Sequence, residues 1–322
     1  MPNAMLIFNP VAGRYPSRLL TERAAAVLNK QGWKVEIETS KKGEDFRRLS
    51  SQAAMNGMDA VIVVGGDGSI NHAVAGLIGT DTALGVLPAG TANVWAQELG
   101  LPGLSWTRWI ALEESARRLA NCQIRKVDVG FCNDAFFLLW AGVGLDAFIV
   151  HHIEPRKQWE KHFAFVQYFA SAVWNASVWH GLNLRVMSGE KEIGGHFMLA
   201  VASNVSLYAG GLATLSPGAM VDDGLMDLWL FEGENLEDTF RQAWDLWSGR
   251  HVQSNRVRCI SFEEVTLLSD SNMYIQMDGE PDAGGGKVDI RVLPRALNVL
   301  VPEGAPQQIF SKKSTGMVAR FP

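Results

Sequence analysis

The chain has 322 residues, of which 47% are hydrophobic and 20% charged, and this length allows two globular domains with substantial cores. Its 29 Lys and Arg residues against 34 Asp and Glu residues give a formal net charge of −5, which provides no general electrostatic reason to expect a nucleic acid partner. The three cysteines, Cys122, Cys132 and Cys259, are scattered and lack metal-ligand spacing, so they indicate neither a disulfide framework nor a zinc site. A reducing cytoplasm is therefore expected.

The apolar segments are too short for a membrane-spanning helix. The opening residues run straight into an apolar strand and lack the basic region and cleavage site of a signal peptide. The longest apolar run, from Ala135 to Leu145, cannot cross a bilayer. Any membrane contact is therefore expected to be peripheral, at the inner face of the membrane.

Strand-like and helix-like segments alternate in the first third of the chain. The predicted strands are residues 5–8, 34–39, 60–64 and 83–87, and the helices between them are residues 17–31, 44–56 and 70–77. This alternation predicts βαβ units, with a parallel sheet covered by helices in a Rossmann-like α/β domain. Nucleotides bind at the carboxyl ends of such strands. We therefore expect a nucleotide-binding domain over residues 1–126.

Closely spaced strand-like runs dominate the chain after a predicted helix at residues 106–121. These runs are residues 126–131, 136–141, 182–187, 193–202, 225–231, 258–268, 273–277 and 288–293. Short strands joined by Gly, Asp and Asn turns predict an all-β sandwich, which we assign to residues 127–302. Residues 303–322 are expected to form a weakly ordered tail.

Two helical insertions are predicted inside the β-rich region, at residues 154–178 and 235–248. The first has a charged start and then apolar residues on almost every face. A helix buried between the domains is the favoured interpretation of this pattern, because all-round apolar helices are usually buried. A lipid-facing helix is the alternative, in which Trp159 and Phe163 would meet the membrane interface.

The segment VVGGDGSINHAV, residues 63–74, is a buried strand that opens directly into a helix through Gly65–Gly68. Glycines allow backbone amides to approach anionic oxygens, and the helix N-terminus adds favourable partial charge. The segment therefore predicts a phosphate-binding turn, although glycine-rich turns also occur without a ligand. No GxxxxGK[ST] P-loop is present in the sequence.

Two further turns follow predicted parallel strands: NPVAG at residues 9–13 and LPAGTAN at residues 87–93. Each brings Gly, Asn or a hydroxyl to the ligand edge of the sheet. Helix capping by Asn9 and Asn93 would explain each turn locally, but not their shared location.

Five motifs in this order resemble the diacylglycerol kinase catalytic domain family, which also includes sphingosine and ceramide kinases. The first half contributes NPxAG, GGDG[ST]xN and GxLPxGTAN. The second half contributes residues 202–231, which resemble the family's GG, P-x-A and DDG-x-x-D stretch, and MDGEP at residues 277–281, which resembles its DGE motif. The similarity extends over residues 5–302. It implies a bacterial lipid kinase that transfers the γ-phosphoryl group of ATP to a diacylglycerol-like hydroxyl.

The resemblance also implies where ATP and Mg²⁺ bind. ATP would occupy the cleft between the two domains, and the β-sandwich would carry the lipid substrate. Nucleotide contacts are implied for Asn9, Thr39, Gly65, Gly66, Asp67, Gly68, Ser69, Ile70, Asn71 and Thr91. A structural magnesium would be held by Asp223 and the backbone carbonyls of Met220 and Leu225, an oxygen-only set that suits this ion. A solvated Asp-Gly turn is the alternative at this position.

Four carboxylates are implied in the chemistry of the site. Glu280 matches the family's general base, which takes the proton from the attacking hydroxyl. Asp67 is expected to act through magnesium and water, and its counterpart is the favoured base in the sphingosine kinase branch. Asp278 is expected next to the site rather than in contact with substrate; turn capping is the alternative for Asp278 and Glu280. Asp128 matches a later Asp of the bacterial carboxylate network.

Three positions differ from the family pattern. Ser69 replaces Thr and keeps the hydroxyl, and His72 replaces a common Glu. Val94 replaces the Asp of GTAND, which in bacterial relatives joins a network with the counterparts of Asp67 and Asp128. One carboxylate of that network is therefore missing, so we expect Val94→Asp to raise activity or to lower the magnesium requirement.

Two other functions are compatible with part of the pattern. A soluble-substrate kinase of the NAD kinase or phosphofructokinase type would share the GGDG turn, but the motifs of the second half argue against it. A nucleotide-binding regulatory protein without catalysis would explain only Val94. The identity of the lipid and the oligomeric state, including a homo-oligomer, are left open by the sequence.

Overall fold

The computed structural model describes residues 1–10, 17–104, 110–153 and 179–312. Within these ranges, fifteen strands form one mixed sheet and two short strands form a hairpin. The strands are β1 (Asn3–Phe8), β2 (Lys34–Thr39), β3 (Ala60–Gly65), β4 (Ala83–Pro88), β5 (Gln123–Cys132), β6 (Ala135–Phe137), β7 (Trp140–Gly144), β8 (Leu182–Ser188), β9 (Lys191–Ser203), β10 (Leu207–Tyr208), β11 (Ala213–Thr214), β12 (Met226–Glu232), β13 (Val257–Phe262), β14 (Glu264–Leu268), β15 (Ile275–Met277), β16 (Glu280–Asp282) and β17 (Lys287–Val301). The helices are α1 (Ser17–Lys30), α2 (Gly43–Met55), α3 (Asp67–Leu77), α4 (Val94–Glu98), α5 (Ala111–Ala120), α6 (Leu145–Ile153) and α7 (Leu236–Trp247).

The N-terminal part contains the predicted parallel sheet, with strand order β4-β3-β1-β2. Strand β3 is rich in Val and Ile and is buried on both faces, as a central parallel strand requires. Strand β2 is mostly exposed because it lies at the edge. The register aligns the strand ends, since Phe8 pairs with Thr39 and Val64, and Gly65 pairs with Pro88. The turns that follow β1, β2, β3 and β4 therefore lie along one edge of the sheet.

Helices cover both faces of this sheet because successive strand side chains point in opposite directions. Leu6 and Phe8 belong to the hydrophobic cluster that includes residues of α1 and α5. Met5 and Ile7 belong to the cluster that includes residues of α2 and α3. This arrangement confirms the predicted Rossmann-like α/β architecture.

The C-terminal part is a β-sandwich-like arrangement of antiparallel strands, in the order β16-β15-β7-β9-β8-β14-β17. Strand β8 shows the alternation of buried and exposed residues that is typical of a half-buried strand. Its inward side chains Leu184 and Val186 pack in a cluster with Phe197 of β9 and Ile290 of β17. The predicted all-β sandwich is therefore confirmed.

Strand β17 joins the two parts of the sheet. Its first half pairs with β14 and the second half of β5, and its last residues pair with the first half of β5. The register shifts between Leu293 and Leu297, and Val299 then pairs in parallel with Leu84 of β4. The end of β17 therefore lies beside β4 of the parallel sheet, and the division into residues 1–126 and 127–302 stays a prediction. Buried and exposed residues alternate before this register shift, whereas the last five residues of β17 are all buried.

Several other features differ from the expected elements. Helices α4 and α6 were not predicted, and the runs at residues 136–141 and 258–268 each form two strands. The expected tail is packed over its first part, since Ile309 and Phe310 are buried and the Arg125 guanidinium lies over the Phe310 ring. The predicted insertion at residues 154–178, with Trp159 and Phe163, lies outside the described residues, as do residues 313–322. No helix in the described ranges is long and apolar enough to cross a membrane.

Candidate active site

Two of the sequence-predicted turns touch at the carboxyl edge of the parallel sheet. Gly66 follows β3 and Gly90 follows β4, and a Cβ atom on Gly90 would lie 2.5 Å from the Gly66 Cα. Only glycine allows this approach. Asn93 supports the second turn, because its Oδ1 accepts the Gly90 N–H at 2.8 Å and its Nδ2 donates to the Gly90 carbonyl at 3.0 Å. Asn93 thus stabilises its own turn rather than projecting into solvent.

Helix α3 begins at Asp67, directly after this glycine contact. The amides of its first turn have no partner within the helix and carry the positive end of the helix dipole. Such a helix start can accept phosphate oxygens, the role that the GGDG motif predicts. Gly68, Ser69 and Asn71 are partly exposed there, but Ile70 is not: its side chain lies in the core and its N–H donates to the Gly66 carbonyl. A direct nucleotide contact of Ile70 therefore has no structural support.

Asp67 connects the first helical turn with α4. Its carboxylate oxygens accept the N–H groups of Val94 at 3.0 Å and Trp95 at 3.1 Å, the first two residues of α4. Burial raises the pKa of Asp67, and these amide donors oppose that shift. A carboxylate has about four lone-pair positions, so acceptor capacity remains beyond these two bonds.

The remaining predicted nucleotide residues lie along the same edge. Thr39 ends β2 and is exposed, and Thr91 is exposed in the turn after β4. Asn9 directly follows β1 and is partly exposed. The structure thus brings the ends of all four parallel strands to one side of the sheet.

Asp278 forms a buried anchor in the β-rich part. It occupies a left-handed conformation with φ 50° in the two-residue turn between β15 and β16. Its carboxylate accepts the N–H groups of Leu138, Leu139 and Trp140 at 2.8 to 3.0 Å. Burial raises the pKa of Asp278 to about 7. Backbone donors therefore engage both oxygens of Asp278, which fixes the turn that carries Glu280.

Glu280 reaches across to the first domain. A Cβ atom on Gly68 would lie 2.9 Å from Glu280 Oε1, so the carboxylate faces the N-terminus of α3. The side chain of Glu280 remains 51% exposed, and His72 Nε2 lies 3.8 Å from its Oε2. A solvent-accessible carboxylate therefore stands beside the phosphate-binding turn.

A buried network missed by the sequence analysis holds the Glu280 turn. Gln276 Oε1 accepts the Gly279 N–H at 2.8 Å, and Gln276 Nε2 donates to Asp146 Oδ2 at 2.9 Å. The Tyr208 hydroxyl donates to the same Asp146 oxygen at 2.9 Å. Burial raises the pKa of Asp146, and these hydrogen bonds oppose that shift. The feature of the sequence that could have revealed this network is Asp146, an acid directly after the longest apolar run.

Asp128 is hydrogen-bonded to the DDG turn and to the bulge of β17. Its oxygens accept the N–H groups of Gly224 and Arg295, each at 2.7 Å. Burial raises the pKa of Asp128 to about 6, and the charges of Asp223 and Asp222 add to this shift. In the described part of the chain, no hydrogen bond joins Asp128 to Asp67. Asp128 therefore organises the DDG turn, and its part in a carboxylate network with Asp67 stays a prediction.

The DDG turn fits a divalent cation. Burial raises the pKa of Asp223, and the Asp222 charge contributes to the shift. Asp222 Oδ2 is buried without a hydrogen-bond partner among the described residues. Met220 and Leu225 flank the turn, whose negative charge a cation would balance. The described ranges contain no cluster of three His, Cys, Asp or Glu side chains suited to a metal, so the ligands would be Asp223, the two backbone carbonyls and water.

Two family models match the chain. The diacylglycerol kinase catalytic domain matches residues 3–132, and the YegS C-terminal NAD kinase beta sandwich-like domain matches residues 140–301. The chain belongs to the diacylglycerol kinase catalytic domain family. Membership confirms the resemblance carried by the five motifs, and it makes the edge between Gly66 and Glu280 the candidate active site of a lipid kinase.

Full-length relatives agree with this membership. A diacylglycerol kinase of Bacillus subtilis (strain 168) is 25% identical over 316 residues, which are 96% of this chain and 99% of that protein. A Chromohalobacter salexigens protein named "Probable lipid kinase YegS-like" is 30% identical over 305 residues, which are 93% of each chain. The crystal structure of a diacylglycerol kinase from Bacillus anthracis str. Sterne has a TM-score of 0.74 at 20% identity and covers 94% of this chain and 97% of its own. The last similarity shows the fold.

Proposed function

We propose that this diacylglycerol kinase family member transfers the γ-phosphoryl group of ATP to the hydroxyl of a diacylglycerol-like lipid. The observation that carries the proposal is the position of Glu280 beside Gly68, where a base from the second domain faces the phosphate-binding turn of the first. A kinase needs a phosphate site and a proton acceptor within reach of each other, and this edge supplies both.

The first domain supplies the phosphate site of the proposed reaction. Amides at the start of α3 donate to phosphate oxygens, and the helix dipole favours their negative charge. Asn9, Thr39 and Thr91 provide polar side chains along the same edge for the rest of the nucleotide. The contact between Gly66 and Gly90 keeps the turn free of side chains where the phosphates approach.

The second domain supplies the base. Glu280 takes the proton of the lipid hydroxyl while that oxygen forms a bond to the γ-phosphorus. The bond between the γ-phosphorus and the bridging oxygen breaks, which leaves ADP and a phosphorylated lipid. A positioned general base contributes about 10²- to 10⁴-fold to the rate. Asp278 and Gln276 hold the turn on which Glu280 is carried.

Magnesium would neutralise charge on the phosphates during transfer. In the proposed reaction Asp67 acts toward this ion through water, using the lone pairs that Val94 and Trp95 leave available. A second, structural magnesium would be held by Asp223 with the carbonyl oxygens of Met220 and Leu225. The lipid acceptor would approach from the cytoplasmic face of the membrane, which the protein contacts peripherally.

The test is transfer from ATP to a panel of lipids in detergent, including diacylglycerol, monoacylglycerol, phosphatidylglycerol and a sphingoid base, with the product read by mass. NAD and fructose 6-phosphate serve as soluble acceptors. We expect a phosphorylated lipid, its loss in Glu280→Gln and its retention in Glu190→Gln, which changes an exposed glutamate in a distant turn. Transfer to NAD alone would support a soluble-substrate kinase. ATP binding without transfer to any acceptor would support a regulatory protein.

A further inference from the structure

Helix α7 presents aromatic side chains to solvent along one face. Phe240, Trp244 and Trp247 occupy positions i, i+4 and i+7, which share a helix face, and are 49%, 54% and 65% exposed. The Trp244 and Trp247 ring centroids are 5.2 Å apart. Val252, just beyond the helix, is also exposed. We call these four residues the α7 apolar face.

The opposite side of α7 holds the helix to the protein through polar groups. Asp238 is buried and accepts the Glu234 N–H at 3.0 Å and the Arg256 guanidinium at 2.9 Å. Gln242 is buried and its Nε2 donates to the Glu232 carbonyl at 2.9 Å. A surface helix normally buries its apolar side and exposes its polar side. In α7, Leu246 packs against the hydrophobic core, but the α7 apolar face remains exposed.

Contacts connect this face with the candidate active site. Helix α7 packs against β11, and the single-turn helix Ala209–Gly211 precedes β11. Gln97 of α4 donates to the Gly210 carbonyl, and a Cβ atom on Gly210 would lie 3.5 Å from the Ala92 side chain in the turn after β4. Leu212, between that turn and β11, is also exposed. The apolar face is therefore joined by a short series of contacts to the wall of the site.

We infer that the α7 apolar face docks on the surface of a phospholipid bilayer. The inference rests on the proposed lipid substrate and names the surface by which the enzyme reaches it. Tryptophan favours the membrane interface, where its ring is partly apolar and its N–H remains hydrated. Partial insertion of a few aromatic side chains gives reversible attachment, as a kinase with a membrane-borne acceptor requires.

The exposed area argues for a bilayer rather than a second copy of the chain. Three half-exposed aromatics offer roughly 300–400 Å² of apolar surface. A stable protein interface needs about 800 Å² from each partner.

The charges around α7 predict how attachment depends on lipid and salt. Four acids and four arginines lie between residues 234 and 258 and balance each other: Glu234, Glu237, Asp238, Asp245, Arg241, Arg250, Arg256 and Arg258. Docking through this face is therefore driven by apolar insertion. We expect binding to neutral vesicles as well as anionic ones, with weak dependence on salt.

The first experiment measures co-sedimentation of the full chain with phosphatidylcholine vesicles, with and without phosphatidylglycerol, in the absence of ATP. We expect the triple variant Phe240→Ser, Trp244→Ser and Trp247→Ser to bind about tenfold more weakly or less, since it removes the inserting groups. Its melting temperature should stay near wild type, because these side chains are exposed. Met55→Gln is the matched control, since Met55 is 86% exposed on α2, and it should bind as wild type does.

A second variant separates insertion from general loss of structure. Trp244→Phe with Trp247→Phe keeps the apolar face but removes two indoles, so vesicle binding should persist. Quenching of tryptophan fluorescence by brominated lipids should fall in the same variant, because the inserted fluorophores are gone. If the triple variant is unstable, the single change Trp247→Ser and this double variant carry the test.

Three outcomes would overturn the inference. Wild-type protein that fails to bind vesicles is one, and a triple variant that binds as well as wild type is another. The third is a triple variant that changes from dimer to monomer in light scattering while its vesicle binding is unchanged, which would assign the face to a second copy. Vesicle binding that requires the three aromatic residues would support the docking face even if no lipid is phosphorylated. The absence of lipid phosphorylation would count against the proposed function and not against the docking face.

Discussion

His72 Nε2 lies 3.8 Å from Glu280 Oε2, although His72 belongs to α3 and Glu280 to β16. The same imidazole lies against the start of α2, where a Cβ atom on Gly43 would overlap His72 Nε2. The ring is thus held between Gly43 and the carboxylate proposed as the base. We therefore expect His72 to position Glu280.

Gly43→Ala is expected to push the imidazole away from Glu280 and to lower kcat. We expect a loss of about fivefold in kcat, which corresponds to about 1 kcal/mol in the activation free energy, and His72→Ala should lose a similar factor. The double variant should lose no more than either single variant, because both act through the same contact. Measuring kcat for the wild type, the two single variants and the double variant completes this double-mutant cycle.

Gly194→Ala is the control for the glycine substitution, since a Cβ atom there meets open space. Its kcat should equal that of the wild type. Independent, additive losses in Gly43→Ala and His72→Ala would mean that Gly43 does not act through the imidazole.

Asp67→Asn should affect both turnover and stability. We expect kcat to fall about 100-fold, as is typical when a preorganised polar group is removed from the transition state. The new amide group would face the N–H of Val94 or Trp95, so the free energy of unfolding should fall by about 1–3 kcal/mol. Kinetics and urea unfolding measure the two effects. The control Asp270→Asn, in an exposed loop, should change neither turnover nor stability. Near-normal turnover in Asp67→Asn would show that Asp67 takes no part in the reaction.

The parallel sheet and its turns could be predicted because their signals are local. Strands β1, β3 and β4 are short apolar runs between helical segments, and glycine-rich motifs mark their ends. Helix α4 has only five residues, too few to show a helical period. It also follows Asn93 in a left-handed conformation, without a side-chain cap. The donors to Asp67 were therefore invisible in the sequence.

Long-range polar partners account for the other differences. Asp128 bonds to Gly224 and Arg295, which are 96 and 167 residues away in sequence, and no periodicity relates these positions. The network of Asp146, Gln276 and Tyr208 likewise joins three distant segments. Glu280, in contrast, was identified through a contiguous motif. Motifs thus reveal residues carried on one turn, but not the buried groups that hold the turn in place.

The pKa of Asp278 predicts a change of stability with pH. Burial raises this pKa to about 7 in the folded protein, above the ordinary value of about 3.9 in the unfolded chain. The folded state therefore holds an additional proton between these values. The stability that Asp278 contributes is fully present below about pH 4 and is lost as the pH rises to about 7.

Asp278→Asn removes this titration, so the difference in unfolding free energy between wild type and variant should shrink as the pH rises from about 5 to about 8. Urea unfolding across this range measures the difference. The exposed Asp81→Asn should give a difference that does not vary with pH. A wild-type advantage that grows with pH would show that Asp278 is ionised in the fold and stabilised by its three amide donors.

Magnesium should stabilise the protein through the DDG turn. Binding to the folded state alone raises the melting temperature by about 5 °C at a hundredfold excess over Kd. Asp223→Asn should abolish this rise, because it removes the side-chain ligand and part of the negative charge. Asp134→Asn, which changes an exposed acid, should retain it. An equal rise in the melting temperature of Asp223→Asn would indicate that the stabilising ion binds in another part of the protein.

Val94→Asp is expected to lower stability without raising activity, which reverses the sequence-based expectation. Val94 is 1% exposed and packs in the hydrophobic cluster shared by the two domains, so a carboxylate there would be buried among apolar side chains. Its backbone N–H already binds Asp67, so the contact needs no acid at position 94.

For Val94→Asp we expect a loss of about 3 kcal/mol or more in the free energy of unfolding, compared with a smaller loss in Val94→Ala. The deficit of Val94→Asp should shrink as the pH falls toward about 5, because burial raises the pKa of the new carboxyl and protonation removes its charge. Higher turnover or a lower magnesium requirement in a stably folded Val94→Asp protein would instead show that the site accepts the acid and uses it.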